Sequence, residues 1–123
     1  MGRENMIVGK LGERVALGFL KRSGYRILET NFRTPFGELD VGARHEGHIV
    51  FVEFKARASI SLGPPCLSVT RSKQRHIIRS ALVYLKRRNL VDSNWRIDVV
   101  SVTLNYDHEV EGVELIENAV EEI

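Results

Sequence analysis

"GELDVGARHEGHIVFVEFKAR", Gly37 to Arg57, is the stretch whose reading decides the fold. Two apolar runs flank His45-Glu46-Gly47-His48, which reads as a tight hairpin connection between strands. Charges interrupt both runs: Asp40 lies between Leu39 and Val41, and Glu53 and Lys55 flank Phe54. Successive side chains on a strand point to opposite faces. Glu38, Asp40 and Gly42 thus share one face of the first run, with Leu39, Val41 and Ala43 opposite. In the second run Ile49, Phe51, Glu53 and Lys55 share a face, with Val50, Val52 and Phe54 opposite. Hairpin pairing would place Asp40 and Glu53 close together across the sheet.

Outward from this hairpin, the chain reads as α-β-β-β-α-β with a further short strand. Val8 to Ser23 carries Leu11, Val15, Ala16, Phe19 and Leu20 at helical spacing, and Gly24 supplies a stop. At 100° per residue Glu13 falls between Leu17 and Leu20, which predicts a carboxylate facing inward and needing a partner. Tyr25 to Phe32 is a strand, followed by a turn at Thr34-Pro35-Phe36-Gly37. The strands Glu38 to Arg44 and Ile49 to Lys55 complete an antiparallel meander. Ser59 to Thr70, with Gly63-Pro64-Pro65, reads as a loop. Arg71 to Arg88 is a helix capped by Thr70, with Ile77, Ile78, Ala81, Leu82 and Leu85 as its buried stripe. Trp95 to Leu104 is a Val/Ile-rich strand, and Val113 to Ile116 a short edge strand. The pattern predicts an α/β domain, a central mixed sheet flanked by helices, within residues 1–123 with its core over about 9–119.

Composition excludes several classes. With 43% hydrophobic and 28% charged residues, the chain is an ordinary soluble globular one rather than disordered. It has no apolar run of membrane-spanning length and no signal-peptide core at its start, so no membrane partner is expected. Cys66 is the single cysteine, which rules out an intrachain disulfide and a multi-cysteine zinc site. A cytoplasmic location is the default.

The net charge of +2 conceals a segregation. From Phe54 to Val91 there is no Asp or Glu, while Lys55, Arg57, Arg71, Lys73, Arg75, Arg79 and Lys86-Arg87-Arg88 fall there. From Asp107 onward the acids have no Lys or Arg among them. A basic surface suited to a polyanion is one reading, and a solvated basic helix the other. Arg71, Lys73 and Arg75 lie in the first turns of their helix, where the macrodipole disfavours cations unless an anion is bound. Lys86, Arg87 and Arg88 sit at the favourable end and call for no ligand. His76 and Arg79 could extend the basic surface.

Carboxylates crowded on a partly buried face repel one another and lose hydration unless a cation compensates them. A hard divalent ion does so, and Mg²⁺ suits two or three carboxylates with waters retained for a substrate phosphate. Lys55 projects to the same side as Glu53, where it could orient a water or stabilise a developing negative charge. The competing reading is an internal salt bridge in which Lys55 neutralises Glu53 or Asp40. Glu38 reads as a supporting group. His45 and His48 read as hairpin-surface residues, and Cys66 has no partner that would make it a nucleophile. Asp98 reads as a strand residue paired with an arginine, and Tyr84 and Trp95 as packing residues. Gly9-Lys10-Leu11-Gly12-Glu13 lacks the ending and the preceding strand of a phosphate loop.

Gly12-Glu13, Asn31-Phe32-Arg33, Gly37-Glu38-Leu39-Asp40, Phe51 to Arg57, Lys73, Arg96-Ile97-Asp98-Val99-Val100 and Glu117-Asn118-Ala119 occur in that order. In this the chain resembles the YraN family of small bacterial proteins, described as predicted endonucleases of the PD-(D/E)XK, or restriction-endonuclease-like, superfamily and as distant relatives of archaeal Holliday-junction resolvases. The resemblance implies a restriction-endonuclease-like fold and a Mg²⁺- or Mn²⁺-dependent nuclease acting on DNA. It implies that Asp40 and Glu53, with Glu13, hold the metal, and that Lys55 completes the catalytic set. Lys73, or its neighbour Gln74, falls where such proteins place a polar residue facing the scissile phosphate; Arg57, Arg71 and Arg75 would engage flanking phosphates. Junction resolution would favour a homodimer. Two positions depart from the pattern: Leu39 stands where the superfamily name expects proline, and Ala56 where relatives commonly carry threonine. A nucleic-acid-binding module that does not cleave, and an interaction protein joining its acidic tail to its basic helix, are the rival readings.

Overall fold

Residues 2–58 and 70–120 are described by the computed structural model, with side chains from residue 9 onward. The chain forms α1 (Gly2–Arg22), β1 (Arg26–Thr34), β2 (Gly37–His45), β3 (His48–Ala58), α2 (Arg71–Arg87), β4 (Trp95–Leu104) and β5 (Val110–Ile116). This is an α/β fold in which a five-stranded mixed sheet, ordered β1-β2-β3-β4-β5, lies between two helices. The β3–β4 pair is parallel and the other neighbours are antiparallel. Parallel neighbours need a crossover connection, and α2 lies within it. Most of the predicted loop after β3, including Gly63-Pro64-Pro65 and Cys66, lies outside the described residues.

Helix α1 begins well before Val8, at Gly2. Its end is a glycine stop: Gly24 has φ +90, and the Tyr25 amide reaches back to the Leu20 carbonyl at 2.9 Å. Ala16 and Leu20 are fully buried against Val41, Ala43, Val50, Val52, Val100 and Val102. Gly12 continues that contact line. A Cβ there would stand 2.5 Å from the Ala56 Cβ, so α1 approaches β3 more closely than a side chain permits.

Helix α2 covers the opposite face, where Ile77, Ala81, Tyr84 and Leu85 pack on Phe32, Leu39, Ile49, Phe51 and Ile97. Thr70 caps it as expected, its hydroxyl accepting the Lys73 amide at 3.2 Å. Leu82 corrects the predicted stripe: it is 50% exposed, because the buried arc centres on Ile77, Ser80, Ala81 and Tyr84 and leaves Leu82 beyond its edge. Tyr84 and Trp95 pack edge-on against Phe51 and serve as core residues.

Asp98 is fully buried and fully engaged. It accepts bonds from Tyr25 Oη at 2.7 Å, Arg96 Nε at 3.0 Å and the Asn118 amide at 2.9 Å. His45 joins this network rather than the surface, correcting the expectation for it. It is 9% exposed, stacks on Tyr25 with centroids 4.0 Å apart and lies 2.7 Å from Arg96 Nη2. Burial and the Asp98 carboxylate both raise the Tyr25 hydroxyl pKa, so the phenol stays protonated as a donor. The Arg96-Ile97-Asp98 and Asn118-Ala119 elements of the sequence pattern thereby act as a lock on β4, to which the Ala119 amide adds a 2.7 Å bond to the Ile97 carbonyl.

The alternation of β2 breaks once, with consequences for the charged residues. Val41 and Ala43 lie under α1, whereas Leu39 and its cross-strand partner Phe32 pack under α2. Between the pairs Thr30–Val41 and Phe32–Leu39 stands Asn31, with φ +53, across from Asp40. The left-handed conformation that asparagine tolerates lets both strands change faces together. The ladder between β2 and β3 runs from the His45–His48 pair to the Val41–Val52 pair. Beyond Val41 the two strands diverge.

Candidate active site

Asp40 and Glu53 fill the fork where β2 leaves β3. The Asp40 amide donates to Glu53 Oε2 at 3.2 Å, and the Phe54 amide donates to Asp40 Oδ2 at 2.8 Å. Each carboxylate thus occupies an amide that a continued ladder would have satisfied by backbone. The expected convergence of Asp40 and Glu53 is present, and it arises from strand divergence as well as from pairing. Glu53 is 5% exposed and Asp40 half-buried.

Burial pushes the Glu53 carboxyl up to about 8, and the neighbouring Asp40 charge adds to the rise. Burial also raises Asp40, against the Phe54 amide and a hydrogen bond with Glu53 that hold it down. Burial thus holds both carboxyls above the ordinary carboxylate range. The charge of Lys73 on α2 lowers both carboxyls.

Glu53 lines a cavity of about 370 Å³ whose other wall is α2 and whose lip is the β1–β2 turn. Lys73, His76 and Ser80 come from the helix, Phe36, Gly37 and Glu38 from the turn, and Thr70 from the cap. Glu38 is exposed and pairs with Arg33 at 3.4 Å, so its place at the rim fits a supporting group.

The remaining predicted residues are distributed as follows. Lys55 lies two residues beyond Glu53 on β3, on the same face by alternation, and is half-buried. Glu13 corrects the inward-facing reading: it is exposed, because α1 buries the line Gly12, Ala16 and Leu20 and the arc stops short of it. Among the described residues no three His, Cys, Asp or Glu side chains form a metal-holding group, so Glu13 does not join Asp40 and Glu53. Arg57 and Gln74 are half-buried, and Arg71, Lys73 and Arg75 exposed. The basic residues of α2 divide by helical angle. Lys73 and His76 face the cavity, whereas Arg71, Arg75 and Arg79 line a separate depression with Ile78.

Two adjacent carboxyls whose ionisation burial disfavours suit a divalent ion that takes one or two carboxylates and keeps its waters. Asp40 and Glu53 fit such an ion; a site built from three acidic side chains is not what the described residues offer. Sequence reasoning set Lys73 among the phosphate contacts and did not see that its charge would bear on the carboxylate pair. The spacing of Lys73, His76 and Ser80, one helical face, was the available signal. Phe36 was read only as part of a turn.

A family model described as "Uncharacterised protein family UPF0102" matches residues 12–102. A UPF0102 protein of Pelobacter propionicus is 48% identical over 120 residues, 96% of this chain and 85% of its own. One of Clostridium acetobutylicum is 41% identical over 119 residues, 97% of this chain and 98% of its own. One of Syntrophus aciditrophicus is 46% identical, covering 96% of this chain and 91% of its own. Among solved structures, Pyrococcus furiosus SfsA in complex with Ca²⁺ aligns with a TM-score of 0.42 at 18% identity, over 96% of this chain and 65% of that one. No helix among the described residues is long and apolar enough to cross a membrane.

Proposed function

The chain belongs to the UPF0102 family, and on that premise we propose that it is a metal-dependent nuclease hydrolysing phosphodiester bonds in DNA. The observation that carries this reading is the Asp40–Glu53 pair, crowded, buried and open through Glu53 to a cavity that a lysine shares. Asp40 and Glu53 would hold Mg²⁺ or Mn²⁺. When bound, such an ion polarises the scissile phosphate and lowers the pKa of a water. Lys55 positions the attacking water from the face it shares with Glu53. Lys73 stands across the cavity from β3, where its ammonium can meet charge building on the phosphoryl oxygens. Arg57, Arg71, Gln74 and Arg75 would contact flanking nucleic acid, Arg71 and Arg75 from the outer face of α2. A homodimer would suit a symmetrical junction.

The test compares the parent protein with Asp40→Ala and Lys55→Ala on branched, flapped, single-stranded and duplex DNA, with Mg²⁺ and with Mn²⁺. The reading expects cleavage of at least one substrate by the parent and a loss of about a hundredfold or more in each variant. A parent protein that cuts none of them removes the enzymatic claim. Arg71 and Arg75, which line a depression separate from the cavity of Glu53, support a second reading, binding without cleavage. That reading expects salt-sensitive binding that survives loss of Asp40 and falls when Arg71 and Arg75 are neutralised.

A further inference from the structure

Phe36 sits at the tip of the β1–β2 hairpin, 41% exposed, on the lip of the cavity that Glu53 and Lys73 line. A single exposed aromatic is ordinary on a protein surface. This one stands on a turn that hydrogen bonds tie to α2. The Thr34 hydroxyl donates to the Gly37 carbonyl at 3.0 Å and accepts the Phe36 amide at 3.0 Å. It also shares a 2.7 Å hydrogen bond with Ser80 Oγ on α2. The Arg79 guanidinium lies 5.6 Å from the centre of the Phe36 ring. The hairpin tip is thus fastened to the helix that carries Lys73, and it presents a flat apolar ring beside a polar cavity.

A ring so placed has a specific use beside a phosphate-directed site. Base–aromatic stacking is worth roughly 1–3 kcal/mol per base and is tolerant of sequence. A base inside a duplex has both faces covered by its neighbours, so only an unpaired base gains from the ring. Arg79 adds a cation that favours the same arrangement. We infer that Phe36 is a specificity-determining residue that stacks on an unpaired base and so directs the site to nucleic acid with a single-stranded nucleotide next to the scissile bond. The inference rests on the nuclease reading for the word "scissile" and on geometry alone for the stacking.

The test measures binding of a fluorescent single-stranded deoxyoligonucleotide and of the matching duplex by anisotropy, in EDTA so that no cleavage intervenes. Phe36→Ala and Phe36→Leu are expected to weaken single-strand binding about tenfold while duplex binding changes less than about twofold; Phe36→Trp is expected to hold single-strand affinity. Loss of both affinities to the same extent, retention of single-strand binding in Phe36→Ala, full binding by Phe36→Leu, or a parent that binds neither probe overturns it. Cleavage by the parent in Mn²⁺, run in parallel, separates the two readings. Discrimination without cleavage supports the stacking role and sinks the nuclease; cleavage without discrimination does the reverse.

Discussion

The Asp40 amide donates to the Glu53 carboxylate at 3.2 Å, and the amide following Glu53 donates to Asp40 at 2.8 Å. This exchange is possible because β2 and β3 stop pairing at Val41, and it holds two acids together where neither has full access to water. Its cost should be visible in stability.

The Glu53 carboxyl rises from 4.5 to about 8 on folding. A raised folded-state pKa means that the native protein binds the proton more tightly than the unfolded chain. Stability is then fully present below the unfolded value and lost as pH rises through the folded one. Without metal, the melting temperature should fall between about pH 5 and pH 8.5. Glu53→Gln should flatten that slope and stabilise the protein at pH 8 by on the order of 2 kcal/mol, several degrees in Tm for a domain of this size. A Glu53→Gln melting profile that keeps the parent's slope would contradict the assignment.

Removing Asp98, by contrast, should cost stability. It is buried with three kinds of donor, Tyr25, Arg96 and the Asn118 amide. Removing it strands the Arg96 guanidinium, which carries little solvent exposure of its own. Asp98→Ala should destabilise by about 3–5 kcal/mol, measured by urea unfolding. A loss below about 1 kcal/mol would mean that the network does not hold β4.

Gly12 tests the seat of α1. Alanine raises helix propensity by about 1 kcal/mol, but its Cβ would lie 2.5 Å from the Ala56 Cβ, an atom fixed to backbone. Overpacking of that kind costs about 1–3 kcal/mol, so the net effect of Gly12→Ala should be destabilising by about 1 kcal/mol. A more stable variant in thermal unfolding would show that the helix can shift without loss.

Strand alternation and helical spacing made most of this architecture legible. Trp95–Leu104 and the Thr70 cap fall where the residues predict them. The meeting of Asp40 with Glu53 was legible from the hairpin connectivity, which sets them across from one another, but not the strand divergence that lets their carboxylates take each other's amides. Other features depend on contacts that a single strand or helix does not encode. Glu13 lies near the apolar arc by angle, yet the sheet touches α1 along Gly12, Ala16 and Leu20 and leaves it exposed. His45 is buried because Tyr25 and Arg96, distant in sequence, close over it. The change of face at Asn31 and Asp40 needs a left-handed residue inside a strand, which periodicity cannot announce. That Lys73 shares a cavity with Glu53 follows from how α2 crosses the sheet.

The central claim, that Asp40 and Glu53 share a divalent cation, is met most directly by a crystal structure grown with Mn²⁺ and recorded at the manganese absorption edge. The account predicts an anomalous peak between the two carboxylates, in contact with an oxygen of each, and its loss in Asp40→Asn. Crystals of the parent in which Mn²⁺ binds elsewhere while Asp40 and Glu53 remain empty would contradict it.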